Sequence, residues 1–248
     1  MAAWRGYEIM EREPRQDNQG DQAPPRLTII AVPFRLRNFR LEAGHRANTR
    51  FGTTLITGQP EGDESLDATA TRIIQQWIGA PPQYIEQLYT LSTDRNGRKE
   101  VAVSYVALFR QDADHEDADD RTYWSPVDEL KINDEIHRMV FDYALVRLRA
   151  KLGYTNIGFH LLPEEFTLSE LQQTYETVLG HPVDKRNFRR RMTASGTLTN
   201  TYKMRRDVSH RPAALYKFAA QDDHAAYLTP SWAAATLSHR QDTNQDAD

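Results

Sequence analysis

Lys185, Arg186, Asn187, Arg189 and Arg190 stand within six consecutive positions that also hold one aromatic residue, Phe188. Guanidinium forks bind phosphate oxygens or guanine edges bidentately and an asparagine amide reads adenine, so this set of side chains suits duplex DNA. Lys203, Arg205 and Arg206 follow a short distance downstream and add cations of the kind that meet phosphates. From Asp184 to Phe218 there are ten basic residues against only Asp184 and Asp207, in a chain whose net charge is −4. The positive charge is therefore concentrated, and the acid lies elsewhere, notably in Asp112 to Asp120 and in the tail from Asp222, which read as solvated loops.

The segments flanking these cations contain the signals needed to hold them on a rigid surface. Thr167-Leu-Ser-Glu170 has the form of a capping box, in which hydroxyl and carboxylate satisfy the free amides of a helix start. Leu168, Leu171, Tyr175 and Val178 supply one apolar face, Gly180 a left-handed stop, and His181-Pro182 a tight turn. Asp184 then caps a second helix, with Val183 and Phe188 spaced as a hydrophobic staple. At about 100° per residue, Phe188 and Met192 face the first helix while Arg186 and Arg190 point away. The pair reads as helix-turn-helix. Beyond Gly196, Thr-Leu-Thr-Asn-Thr-Tyr and Arg211-Pro-Ala-Ala-Leu-Tyr-Lys-Phe read as two short strands around a basic tip, the wing of a winged helix. A solvated basic helix would account for the charge alone. Caps, staple and cationic arc agree on one geometry, which favours a DNA-reading surface over a merely solvated helix; a binding module for RNA or protein is the alternative.

Upstream, Leu27 to Val32 and Glu100 to Phe109 are strand-like, Thr53 to Thr57 is a shorter candidate, and Asn96-Gly97 is a turn signal. Leu66, Ala70, Ile73 and Trp77 mark one buried helix face ending at Gly79. A second amphipathic helix is expected from Asn133 to Leu152, with Ile136, Val140, Tyr143, Leu148 and Leu152 inward and Gly153 as its stop.

Several of these stretches resemble a known family. Phe159-His-Leu-Leu-Pro-Glu-Glu-Phe-Thr-Leu-Ser-Glu-Leu-Gln-Gln-Thr-Tyr-Glu-Thr-Val-Leu-Gly, then Val183-Asp-Lys-Arg-Asn-Phe-Arg-Arg-Arg-Met, resembles the C-terminal domain of Nudix-related transcriptional regulators of NAD metabolism. The likeness continues through Arg211-Pro-Ala-Ala-Leu-Tyr, and Trp124-Ser-Pro-Val-Asp-Glu-Leu looks like that family's junction ahead of the linking helix. The resemblance implies a Nudix fold upstream, whose hydrolase motif is G-x5-E-x7-R-E-U-x-E-E-x-G-U with U aliphatic. Gly58, Glu64, Arg72 and Gly79 match it, whereas the three later glutamate positions hold Ile73, Gln76 and Trp77. Hard divalent cations need several carboxylate oxygens to polarise a diphosphate, and Glu64 alone does not provide them.

The expected architecture is mixed α/β: a Nudix-like α/β/α sandwich followed by a winged helix-turn-helix. Residues 1–25 are expected to be a disordered arm, 26–130 the ligand-sensing unit, 131–154 a linking helix, 155–218 the winged helix and 219–248 a flexible acidic tail. The resemblance implies a regulator that represses from an operator, with a nucleotide such as ADP-ribose as effector and no cofactor, metal or catalytic residue. Arg35, Arg37 and Arg46 are the candidate phosphate contacts for that effector. A homodimer is expected, because a two-fold protein matches a palindromic operator. The alternative from the enzyme class is an active Nudix pyrophosphatase joined to a DNA-binding domain.

Other chemistry finds little support. The eight histidines form no H-x-x-x-H or H-E-x-x-H pair, and Asp112 to Asp120 lacks the glycine and terminal glutamate of a calcium loop. Zero cysteines exclude disulfides and thiolate metal sites. No apolar run spans a bilayer, and Met1 to Met10 lacks a basic-then-apolar signal, so a cytoplasmic protein without a membrane partner is expected.

Overall fold

The computed structural model describes residues 24–48, 52–95, 98–111, 122–205 and 212–219. The Asn96-Gly97 turn, the acidic stretch 112–120, Arg206, Arg211, and the greater part of the arm and tail lie outside the described residues.

A mixed sheet is built from β1 (Arg26–Arg37), β2 (Arg40–Asn48), β3 (Gly52–Thr54), β4 (Ile56–Gly58), β5 (Tyr84–Arg95), β6 (Arg98–Phe109) and β7 (Thr122–Pro126). β1 runs parallel to β6 in continuous register from Arg26–Glu100 to Arg35–Phe109, and pairs antiparallel with β2 and β4 on its other edge. A central strand is covered on both faces, which is why its sequence is an unbroken apolar run instead of an alternation. One candidate strand, Thr53 to Thr57, is divided at Leu55, whose N–H leaves the ladder and donates to His137 Nδ1 at 2.9 Å. β2, β5 and β7 carry too many polar residues to have stood out by composition; neighbouring strands impose their extended form.

α1 (Leu66–Ile78) closes one face of the sheet. Ser65 caps it by accepting from Ala68 N–H, and Gly79 ends it with φ of 84°. The buried set is Thr69, Ala70, Ile73, Ile74 and Ile78, so the inward stripe is rotated from the expected one and leaves Leu66 and Trp77 at its margins. α2 (Glu135–Leu152) covers the opposite face with Val140, Phe141, Ala144, Leu148 and Leu152. Tyr143, expected inside, is exposed and meets the ring of Tyr89 edge-on at 4.8 Å. Gly153 caps α2 in right-handed geometry with φ of −67°, so the expected left-handed stop is absent and the chain continues into a turn.

After a 3₁₀ turn at Ile157–Leu161 come α3 (Leu168–Leu179), α4 (Lys185–Ala194) and the hairpin β8 (Leu198–Arg205) with β9 (Ala213–Phe218). These elements share one continuous apolar cluster with α2 and the sheet face beneath it, from Ile30 and Phe34 through Phe141 and Leu148 to Tyr175, Phe188 and Met192. The helix read from sequence as a linker is thus also the layer that closes the sandwich.

Candidate nucleic-acid interface and effector cavity

The cationic arc is held by local chemistry on every side. Thr167 Oγ1 accepts from Glu170 N–H while Glu170 accepts from Thr167 N–H at 2.7 Å, completing the capping box of α3. Gly180 ends α3 with φ of 78°, a conformation that costs a glycine little. Val183 N–H donates to Glu176 Oε1 at 3.0 Å across the turn, and Asp184 Oδ1 accepts from Asn187 N–H at 2.7 Å to start α4. Phe188 and Met192 are buried, with the Phe188 ring edge-on to Tyr175 at 5.1 Å. That anchoring leaves Lys185, Arg186, Asn187 and Arg190 exposed on the outer face.

Within this arc Arg190 Nη2 donates to Asn187 Oδ1 at 3.1 Å, so these two side chains are aligned with each other. Arg189 is half-buried and its Nη2 donates to Ser169 Oγ at 2.8 Å, which places it between α4 and the first turn of α3. Burial first, then the neighbouring charge of Arg190, lowers the pKa of Arg191 below the usual guanidinium value. On the wing, Lys203 Nζ pairs with Glu165 at 2.7 Å, and Arg205 pairs with Glu170 and donates to the Glu165 carbonyl at 3.1 Å. Lys203 and Arg205 therefore tie the wing to the start of α3.

The Nudix-like segment has a different character. Both Glu64 oxygens accept from Arg72, Oε1 from Nε at 2.7 Å and Oε2 from Nη2 at 2.9 Å, and this pairing lowers the Glu64 pKa to about 2. Arg72 also reaches the Gln59 carbonyl and Gln76 Oε1, stitching the loop to the helix. Ile73 is buried beneath Gly58, where an added Cβ would stand 2.4 Å from Ile73 Cγ2. Trp77 lies under the Arg46 guanidinium at 3.4 Å.

On the opposite face of the sheet, a cavity of about 200 Å³ is bounded by Arg26, Thr28, Thr54, Thr57, Thr93, Glu100, Asp134 and His137, among others. His137 Nδ1 accepts the Leu55 N–H, so its other nitrogen is the one able to carry a proton. Thr28 Oγ1 donates to Glu100 at 2.6 Å in the wall. No sequence signal marks this cavity, because hydroxyls on separate strands leave no linear motif. Arg35, Arg37 and Arg46 are not in it. Arg35 lies on the α1 side, paired with Glu42 at 2.9 Å and over the Trp124 ring at 4.1 Å; Arg46 packs on Trp77, and Arg37 is exposed at the strand end.

Residues 158–218 match the family described as the NrtR DNA-binding winged helix domain. Over 171 residues the chain is 34% identical to the ADPR responsive transcriptional repressor NtrR of Acinetobacter baylyi, covering 65% of this chain and 67% of the relative. This chain belongs to the NrtR family of Nudix-related transcriptional regulators. Among solved structures, NrtR of Shewanella oneidensis in complex with a 27mer DNA is similar, with 29% identity, a TM-score of 0.72, and coverage of 81% of this chain and 96% of that one. A MutT/nudix family protein of Enterococcus faecalis shares the fold, with 17% identity, a TM-score of 0.60, and coverage of 82% and 90% respectively. The NrtR family combines a Nudix domain and a winged helix, as expected from the sequence, and its winged-helix match spans the 3₁₀ turn, both capped helices and the wing.

Proposed function

We propose that this protein is a transcriptional repressor in which α4 reads operator DNA from the major groove and the Nudix-like unit senses a nucleotide without consuming it. The observation that carries this reading is the exposed arc of Arg186, Asn187 and Arg190 on a helix fixed from behind by Phe188 and Met192. Lys185 joins that arc, Arg189 reaches phosphates from its edge, and Lys203, Arg205 and Arg206 add wing contacts. A homodimer in the cytoplasm presents two such helices to a palindromic site. The functional division follows: 26–130 senses, 131–154 links, 155–218 binds DNA, and 1–25 and 219–248 are appendages.

Support for a sensor in place of a hydrolase comes from the Nudix segment. Glu64 is committed to Arg72, and the positions of the other acids hold a core residue, an amide and an indole. A relative responds to ADPR, which makes ADP-ribose the first candidate effector. The cavity at His137, in preference to Arg35, Arg37 and Arg46, is its proposed seat. At about 200 Å³ the cavity is smaller than the roughly 300–1,000 Å³ of sites that enclose a drug-sized ligand, so it takes one end of the molecule.

Fluorescence anisotropy with duplex DNA from upstream of the protein's own gene, competed by single-stranded RNA, tests the first part. Titration with ADP-ribose, and a parallel incubation with ADP-ribose and Mg²⁺, tests the second. Binding of DNA over RNA, with ADP-ribose bound and intact, is expected. Turnover on the order of 1 per second or faster would make the protein an enzyme.

A further inference from the structure

The wing presents one large side chain for which its own fold has no evident use. β8 and β9 pair from Leu198–Phe218 to Asn200–Tyr216 and again from Met204–Ala214 to Arg205–Ala213. Thr201, Tyr202 and Lys203 therefore stand opposite Leu215 alone, as an extended bulge. The bulge is stitched through short side chains: Asn200 Oδ1 accepts Tyr202 N–H at 2.8 Å, Thr201 Oγ1 donates to the Leu215 carbonyl at 2.9 Å, and Lys203 N–H donates to Thr201 Oγ1 at 3.3 Å. At its apex Tyr202 has φ of 59° and is 92% exposed. An aromatic residue in the left-handed region is held there against its own preference, and such positions cluster at functional sites.

The backbone of Tyr202 serves the bulge; its ring does not. The flanking cations show where the bulge lies. Arg205 pairs with Glu170 and Arg189 of α4 bonds Ser169, so wing and α4 flank the same first turn of α3. A duplex engaging α4 meets the wing next. Arg205 and Lys203 are partly neutralised by Glu170 and Glu165, while Tyr202, neutral and planar with one hydroxyl, is the most exposed large hydrophobic side chain among the described residues.

We propose that Tyr202 is a DNA contact, packing its ring on the sugar–phosphate wall and donating its hydroxyl to a phosphate oxygen beside the groove that α4 enters. This inference rests on the reading of α4 as the DNA-recognition helix. It predicts a contact that positions the duplex without reading sequence. A neutral residue releases no counterion, so its contribution does not change with salt, unlike that of an arginine.

The test uses the full chain with Tyr202→Phe, Tyr202→Ala, Tyr202→Gly and Arg186→Ala, measured by anisotropy on the upstream duplex over a range of salt, with a thermal melt of each. A hydrogen bond to a charged oxygen is worth about tenfold or more in affinity. Tyr202→Ala and Tyr202→Gly are expected to lose at least that factor and Tyr202→Phe part of it, with the salt slope of the wild type retained. Tyr202→Gly is expected to melt no lower than the wild type, since glycine accepts the positive φ freely. Wild-type affinity in all three Tyr202 variants, while Arg186→Ala binds weakly, would overturn the Tyr202 contact alone. Loss of affinity matched by a lower melting temperature in every Tyr202 variant would assign the residue to wing folding and overturn it too. Failure of the wild type to bind duplex DNA would overturn both this inference and the reading beneath it.

Discussion

The Arg149 guanidinium on α2 donates from Nε to the Val178 carbonyl in the last turn of α3, at 2.9 Å. A cation placed at the end of a helix satisfies a carbonyl left without an intrahelical donor and opposes the negative end of the helix dipole. From another face of α2, Arg147 and Lys151 both bond Glu86 of β5, at 2.9 and 2.6 Å. Thr177 of α3 donates to the Phe39 carbonyl in the β1–β2 turn at 3.3 Å. The Nudix-like and winged-helix elements are therefore joined by directional contacts as well as by the shared apolar cluster.

Arg149→Met keeps most of the side-chain bulk and removes the donor. It is expected to leave the separate affinities for ADP-ribose and DNA within about threefold of wild type while reducing the coupling between them, which for allosterically linked sites is typically about 1–3 kcal/mol. Calorimetric titration of ADP-ribose with and without saturating DNA measures the coupling. A coupling equal to that of the wild type would show that the signal bypasses this contact.

Arg186→Ala and Arg190→Ala each remove an exposed guanidinium opposite the Phe188–Met192 stripe. If each reads a base, each costs about 1–3 kcal/mol of operator affinity and relaxes preference at one position. The circular dichroism spectrum and melting temperature are expected to stay those of the wild type. Unchanged affinity in both variants would remove α4 from the interface.

Phe188→Ala acts through folding. Its ring is 5% exposed and packed edge-on against the fully buried Tyr175, so truncation is expected to cost about 3–5 kcal/mol of stability. Chemical denaturation checks this, and the loss of DNA binding should track unfolding, in contrast with Arg186→Ala.

Glu64 has its pKa lowered from 4.5 to about 2, first by the hydrogen bonds from Arg72. A depressed carboxylate stabilises the fold above its ordinary value, and that stability is lost as pH falls through the folded value. Melting temperature is therefore expected to decline between about pH 4.5 and 2 in the wild type. Arg72→Met should raise the Glu64 pKa and reduce that part of the decline. An identical pH profile in the variant would show that Arg72 does not set the Glu64 titration.

The helix-turn-helix was legible from sequence because its signals are local. Thr167 with Glu170, Gly180, Asp184 with Asn187, and the Phe188 to Met192 spacing each work through partners within one or two helical turns. Periodicity likewise determined that Arg186 and Arg190 face outward. It did less well for α2, where Phe141 and Ala144 are inside and Tyr143 outside, since a helix pressed between a sheet and other helices buries more than one stripe. Tertiary structure alone decided the rest. Strands β2, β5 and β7 are extended because their neighbours hydrogen-bond to them, and the cavity exists because β1, β5, β6 and the start of α2 converge from positions as far apart as Arg26 and His137. Arg35 and Arg46 went to Trp124 and Trp77 because alternation along paired strands put them on the α1 face, a choice set by which face the sheet buries against which helix. Contacts between residues distant in the chain carry no spacing that a sequence can display, so the outward cationic face of α4 could be foreseen while the cavity beside His137 and the ties of the wing to Glu165 and Glu170 could not.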